Sequence, residues 1–239
     1  MLLSYPHPLR TARFLGREKR FTVHADMAGQ RVAAHTNNTG TMLGLLRPGA
    51  EILLSRADKP DRKLAWTLEQ VRFHGLAVGV NTSTPLRLLR AAWQARAMPE
   101  LSGYQAFHAE RVRGGSRLDA RLTGPCGELW VECKNVTLVE DGGVALFPDA
   151  ATQRGRKHLL ELTDAVRSGA RAALFFLVQR GDARCFAPAG LIDPEYEELL
   201  YRALDAGVEA WPYRAEVAPH GIDLGPRLAV LPRPAKEAA

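Results

Sequence analysis

The longest uninterrupted apolar run in the chain is Ala172–Val178, seven residues. That is far short of the roughly 20 a transmembrane helix requires, and it suits a buried strand. A helical pattern precedes it from Thr152 to Ser168, with Leu159, Leu162 and Val166 on one side and Gly169 as a left-handed stop. Before that, Tyr104–Val112, Arg117–Leu122 and Leu129–Val136 read as three strands, the last two joined by a Gly124-Pro125-Cys126-Gly127 turn. Further upstream, Thr84 is placed to cap a helix with Pro85 in its first position. Leu86, Leu89, Trp93 and Ala97 follow at helical spacing, and Pro99 stops the pattern. A helix near Pro194–Asp205 and short strands around a His220-Gly221 turn complete this part, with a frayed tail from Pro232. The predicted order is helix, three strands, helix, strand.

The first third has a different texture. Phe14–Met27 alternates Phe21, Val23 and Ala25 against Thr22, His24 and Asp26, which predicts a strand turning at Ala28-Gly29 into Arg31–His35. Glu51–Ser55, Ala65–Phe73 and Leu76–Val80 follow, the last two separated at hairpin distance by His74-Gly75. Five short strands in about seventy residues suit a small, partly open barrel of the OB type, and an SH3-like barrel has a similar pattern. The expected division is therefore 1–83, an OB-like β-barrel, and 84–239, an α/β domain.

With 46% apolar and 24% charged residues, the chain has an ordinary soluble composition. Pro6, His7, Pro8 and Arg10 stand where a secretory signal needs apolar residues. Three cysteines without a Cys-x-x-Cys, and seven histidines none of which pairs at i, i+4, argue against a disulfide framework or a thiolate zinc site. The expected setting is the cytoplasm, with no membrane association. Charge is uneven: residues 1–83 hold 12 Lys/Arg against 6 Asp/Glu, while residues 84–239 hold 20 against 20. That asymmetry points to an anionic partner, nucleic acid ahead of membrane, against the alternative of a basic surface kept for solubility.

Two basic runs carry the excess: Arg13, Arg17, Lys19 and Arg20, then Arg56, Lys59, Arg62 and Lys63. They lie near Phe14, Phe21 and Trp66, and basic side chains beside aromatic ones suit single-stranded or flexible nucleic acid. The aromatics have a competing role as core, which is the expectation for Phe21. Asn37 and Asn38 open a polar segment read first as a structural turn, and a loop at a barrel rim could equally touch phosphate or base. Gln153, Arg154, Arg156, Lys157 and His158 cluster at the start of the second helix. Backbone N–H groups there favour phosphate, although basic side chains oppose the helix dipole.

One constellation carries a mechanism. On a strand, Glu132 and Lys134 project from the same face and Cys133 from the other, while Asp119 lies on the preceding strand of the hairpin. Two carboxylates can share one hard cation, Mg²⁺ or Mn²⁺, that keeps waters and takes phosphate oxygens. Lys134 could then orient or deprotonate the attacking water and offset charge on a scissile phosphate. Glu110 on the strand before is a candidate for the same shell, or an exposed strand glutamate. A bare Glu-x-Lys occurs about once by chance in such a chain, and its plain reading is a same-face ion pair. Its placement on consecutive strands between two helices matches the order of the PD-(D/E)xK nuclease core.

Several separated strings occur in order: Ala-His-Thr-Asn-Asn-Thr-Gly-Thr-Met (34–42), Gly-Val-Asn-Thr (79–82), Ser-Arg-Leu-Asp (116–119), Val-Glu-Cys-Lys-Asn-Val-Thr-Leu (131–138), Ala-Leu-Phe-Pro-Asp-Ala (145–150) and Arg-Gly-x-Lys-His-Leu, which begins at Arg154. In these the chain resembles the sugar fermentation stimulation protein A family, from about residue 12 to 231. The resemblance implies an N-terminal OB-like domain, a C-terminal PD-(D/E)xK nuclease-like α/β domain, DNA binding and a proposed nuclease activity. Asp119, Glu132 and Lys134 occupy the nuclease motif, with Leu118 where Pro usually precedes the Asp. The family's name reflects an effect on sugar metabolism, chiefly maltose, which identifies no reaction. The leading expectation is a metal-dependent nuclease acting on DNA, or RNA. The alternative is a non-catalytic DNA-binding regulator on a nuclease-like scaffold. Nothing in the residues supports an enzyme of sugar metabolism.

Overall fold

The computed structural model describes residues 2–57 and 62–233. The chain opens with a two-residue strand, β1 (Leu3–Ser4), then builds β2 (Arg10–Glu18), β3 (Thr22–Met27), β4 (Gln30–His35), β5 (Glu51–Arg56), β6 (Trp66–Phe73) and β7 (Leu76–Gly79). Strands β2 to β6 hydrogen-bond in the order β4-β3-β2-β5-β6, and a parallel pairing of Ala34–His35 with Trp66–Thr67 returns β6 to β4. The result is a closed five-stranded barrel with β7 hairpinned onto β6. Period-two alternation fills it with Ala12, Phe14, Val23, Ala25, Ile52, Leu54, Leu68 and Val71.

The strand expected over Phe14–Met27 is in fact two. The chain reverses at Lys19 and Arg20, both with positive φ (48° and 62°). A tight hairpin turn needs such angles and usually recruits Gly or Asn for them. Here two basic residues adopt them, so no turn residue marks the break. Phe21, expected in the core, follows that turn and is 50% exposed. Its ring stacks on His35 at 6.4 Å and 7°.

The second part begins with α1 (Thr84–Gln94). Its N-cap is Ser83 rather than Thr84, which is already helical and buried. The helix ends well before Pro99, where Arg96 turns left-handed (φ 54°), and Pro99 instead opens a single 3₁₀ turn to Leu101. Strands β8 (Ala106–Arg113), β9 (Ser116–Gly124) and β10 (Gly127–Val136) follow as an antiparallel meander. Then come β11 (Leu138–Val139), β12 (Val144–Phe147), α2 (Gln153–Arg167), β13 (Arg171–Val178), β14 (Cys185–Pro188), α3 (Pro194–Asp205), β15 (Glu209–Ala218), β16 (Gly221–Arg227) and β17 (Ala229–Val230). The main sheet runs β1-β16-β15-β13-β10-β9-β8, with β10, β13 and β15 parallel at its centre. Beside it, β11, β12, β14 and β17 form a small second sheet.

The run Ala172–Val178 is β13, buried on both faces. Leu174, Phe176 and Val178 pack under α2 and α3, and Ala173, Phe175 and Leu177 pack against α1. Both covering helices on the first face are capped by side chains. Thr152 accepts from the Gly155 N–H at 3.0 Å, and Asp193 accepts from the Tyr196 N–H at 2.9 Å. Gly155 lets the two helices meet closely, because a Cβ there would lie 3.2 Å from the Tyr196 ring.

The expected border at residue 83 coincides with the cap of α1, but β1 pairs with β16 and so docks the first residues on the second domain's sheet. The two parts are latched at separated points. Asp149 accepts from the Met42 N–H (3.1 Å) and the Thr41 hydroxyl (3.3 Å), and Gln70 donates to the Ala218 carbonyl (2.7 Å). No helix among the described residues is long and apolar enough to cross a membrane.

Candidate active site

Register brings the two carboxylates together. Trp130 faces Arg121 and Val131 faces Ala120, so the next step of the ladder sets Glu132 across from Asp119. Residues opposite one another in an antiparallel pair share a face. The ladder opens there, and Asp119 Oδ2 accepts the Cys133 N–H at 2.8 Å instead. Glu132 points toward α2 and is 4% exposed. Its Oε1 accepts from Lys134 Nζ at 2.8 Å and lies 2.5 Å from His158 Nδ1, and Lys134 Nζ sits 3.4 Å from that same nitrogen. Oε2 of Glu132 is buried and has no partner.

The electrostatics of the pair are unequal. Burial, then the neighbouring Glu132 charge, pushes Asp119 up to about 6. Burial would also push Glu132 up, but Lys134 and His158 outweigh it and hold this carboxyl below its usual range. Near neutrality Glu132 is ionised and Asp119 largely so, and Asp119 takes up its proton as pH falls through about 6. The site thus contains crowded negative charge and an orphaned carboxylate oxygen, and a cation would relieve both.

Other expected members fall in different places. Glu110 stands opposite Asp119 in β8, but it breaks the strand with a positive φ of 51° and ion-pairs with Arg117 at 3.7 Å. Among the described residues no three His, Cys, Asp or Glu side chains gather as a metal-binding group. The donor set is a pair, which suits an ion such as Mg²⁺ that retains waters and takes substrate oxygens. Of the α2 cluster, Arg154 is exposed and reaches His158 Nε2 at 3.4 Å. Lys157 donates to the Gly115 carbonyl (2.6 Å), Arg156 pairs with Glu195 and Asp193, and His158 is buried against Glu132.

In the barrel, Arg17 is committed to the backbone, donating to the carbonyls of Arg20, Asn38 and Gly40. Arg13 reaches the Gly49 carbonyl (3.4 Å) and Glu51 (3.9 Å), while Lys19, Arg20, Arg56, Arg62 and Lys63 are exposed. Lys59 lies outside the described residues. Asn38 is buried, donating to the Val80 carbonyl (3.2 Å) and accepting from Gly40 N–H (2.9 Å), and Asn37 donates to Asn81 (2.7 Å). The asparagines hold their loop to Val80 and Asn81, the segment that leads into α1.

Sequence reasoning did not foresee Tyr196. Its buried hydroxyl has no partner, and burial, then the charge of Glu132, pushes it well above its ordinary range. Nothing in its helical surroundings distinguishes it from a core tyrosine.

Two family models cover these two parts. The SfsA N-terminal OB domain matches residues 15–80, and the sugar fermentation stimulation protein RE domain matches residues 83–221. The chain belongs to the sugar fermentation stimulation protein A (SfsA) family. A sugar fermentation stimulation protein homolog of Syntrophobacter fumaroxidans is 56% identical over 96% of this chain and 88% of its own. Another, from Maridesulfovibrio salexigens, is 55% identical over 95% and 96%. The solved structure of Pyrococcus furiosus SfsA in complex with Ca²⁺ superposes with a TM-score of 0.90 at 28% identity, covering 96% of this chain and 98% of that one. The OB barrel and the α/β domain, expected from strand and helix patterns, are thus the architecture of an SfsA protein.

Proposed function

We propose that this SfsA protein is a divalent-metal-dependent nuclease that binds DNA and hydrolyses its phosphodiester bonds in the reducing cytoplasm. The observation that carries the reading is the Asp119–Glu132 pair, with one oxygen of Glu132 orphaned, Asp119 raised by burial and by its neighbour, and the Lys134 ammonium 2.8 Å from Glu132. The Ca²⁺ complex of the Pyrococcus furiosus relative supports a divalent ion in this fold. Asp119 and Glu132 would hold Mg²⁺ or Mn²⁺, which when bound lowers the pKa of its water and neutralises phosphate charge. Lys134 supplies a fixed positive charge beside the carboxylates. An ammonium has no lone pair to take a proton, so its role is to orient water and stabilise charge on the phosphate rather than to abstract the first proton. His158 fixes the Glu132 carboxylate from the other side. Exposed Arg20, Arg56, Arg62, Lys63 and Arg154 supply backbone contacts that are independent of sequence.

A specific observation favours the second reading, a DNA-binding regulator. Glu132 Oε1, Lys134 and His158 bond one another in a closed network, which a scaffold maintains without a metal, although Oε2 of Glu132 stays unpartnered. Labelled single- and double-stranded DNA and RNA, incubated with and without Mg²⁺ or Mn²⁺, separate the two. Cleavage that requires metal and disappears in Asp119→Asn supports the nuclease, and a wild-type protein inert on every substrate decides for the regulator.

A further inference from the structure

A second concentration of unpaired positive charge lies where the barrel meets α1. A cleft of about 590 Å³ opens there, and neither Asp119 nor Glu132 lines it. Arg56 and Arg62 enter from the barrel and Arg87 from the start of α1. Arg87 and Arg62 act on the buried Glu69 carboxylate through space, and among the described residues none of the three makes a direct salt bridge. Arg62 is held in place by the Thr67 hydroxyl at 2.8 Å.

The wall and floor are built from a polar network. Glu69, 6% exposed, accepts from Ser55 (2.7 Å) and Asn81 (2.9 Å), so both of its oxygens are occupied. Asn81 Oδ1 accepts in turn from the Ser83 N–H (3.0 Å) and the Ser83 hydroxyl (2.7 Å). The hydroxyl that would ordinarily cap α1 is thereby turned away, and the helix begins without a side-chain cap. Beside the cleft, His35 carries the exposed, stacked ring of Phe21.

Among the described residues that line the cleft, three guanidinium groups face one carboxylate, a surplus of two positive charges. A phosphodiester carries a single negative charge and would leave that surplus unmet. A phosphomonoester carries about −1.5 to −2 at neutral pH and matches it, with oxygens for several charge-assisted bonds. The Phe21–His35 stack offers a flat face to a base. We propose that this cleft binds the phosphomonoester of a nucleotide, either the terminal phosphate of a nucleic-acid strand or a free nucleoside monophosphate. The assignment goes beyond the nuclease reading and its test involves no cleavage.

The test uses the full-length protein in EDTA, so that failure of metal binding or hydrolysis cannot mimic failure here. Fluorescent single strands of one sequence, phosphorylated at the 5′ end, the 3′ end or neither, are compared by anisotropy, and AMP binding is measured by calorimetry. The expected result is a strand with one phosphorylated end binding about tenfold tighter than its hydroxyl-ended twin, the size of one or two charge-assisted bonds. That preference should collapse in Arg56→Ala and Arg87→Ala, whose exposed positions leave the melting temperature unchanged. AMP competing with the phosphorylated strand places both ligands in the cleft. AMP binding lost in Arg87→Ala, without any end preference among strands, assigns the cleft to free nucleotides. Absence of both end preference and AMP binding overturns the proposal, as does a preference that both arginine variants retain.

Discussion

Replacing Asp119 by Asn should stabilise the metal-free protein at alkaline pH. Burial and the adjacent Glu132 raise the Asp119 carboxyl from 3.8 to about 6. A group whose folded pKa lies above its unfolded one contributes stability that is complete below the unfolded value and lost as pH rises through the folded value. Ionised Asp119 therefore disfavours the native state above about pH 6. A shift of two units corresponds to about 3 kcal/mol at most. Asn keeps an oxygen for the Cys133 N–H but loses the attraction of the carboxylate to Lys134 and His158, so a gain of about 1–3 kcal/mol is expected. At about 2–4 °C per kcal/mol for a chain of this size, that is roughly 2–12 °C in melting temperature. Calorimetric scans in EDTA at pH 4 and pH 8 provide the assay. The variant should match wild type at the lower pH and exceed it at the higher. Adding Mn²⁺ at pH 8 should raise the wild type and leave the variant nearly unmoved, because only a protein that binds the ion gains its binding free energy. A variant less stable than wild type at pH 8 in EDTA, or a difference independent of pH, would refute this account of the pair.

Glu132→Gln should remove the charge that raises Asp119, so the Asp119 titration followed by carboxyl NMR should move below its midpoint of about 6, while the unpaired, largely buried Lys134 costs stability of about 3 kcal/mol or more. Lys134→Ala should lower the cleavage rate by about 10²-fold or more yet leave Mn²⁺ affinity nearly unchanged, since the ammonium acts on the phosphate and not as a ligand; single-turnover cleavage and metal titration read the two effects separately. Gly79→Ala should destabilise by about 1–3 kcal/mol in urea melts, because its Cβ would fall 1.7 Å from Oε1 of Gln179, a side chain with no exposure. Nucleic-acid affinity of the whole protein should fall with salt at a slope of about −0.7 to −0.9 per phosphate contacted, and Lys63→Ala should reduce that slope by roughly one contact.

The parts of this molecule that could be read in the sequence are those whose causes are local. The helices over Gln153–Arg167 and Pro194–Asp205 show in their own residues, and Glu132 and Lys134 share a face because strands alternate. Elsewhere the decisive partner is remote or the local rule is broken. Leu3–Ser4 becomes a strand only because Ile222 and Gly221 lie beside it, and the two- and four-residue strands of the small sheet are too short to carry any period. The Lys19–Arg20 turn uses left-handed angles at residues that advertise none, and this same turn brings Phe21 out of the core and onto His35. His158 was visible as one of a basic group at a helix start, but its alignment with Glu132 depends on how α2 crosses β10. The same dependence explains why the two most distinctive polar loops have different fates. Asn37 and Asn38, read first as a structural turn with ligand contact as the alternative, spend their amides on Asn81 and Val80. Arg56, Arg62 and Arg87, which no spacing rule connects, converge because α1 starts beside the ends of β5 and β6. Satisfied amides buried within the joint hold it together, and the exposed guanidinium groups around it leave its cleft electropositive. A joint built only to hold two domains together would need the first property and would be destabilised by the second, because like charges gathered without a counterion repel.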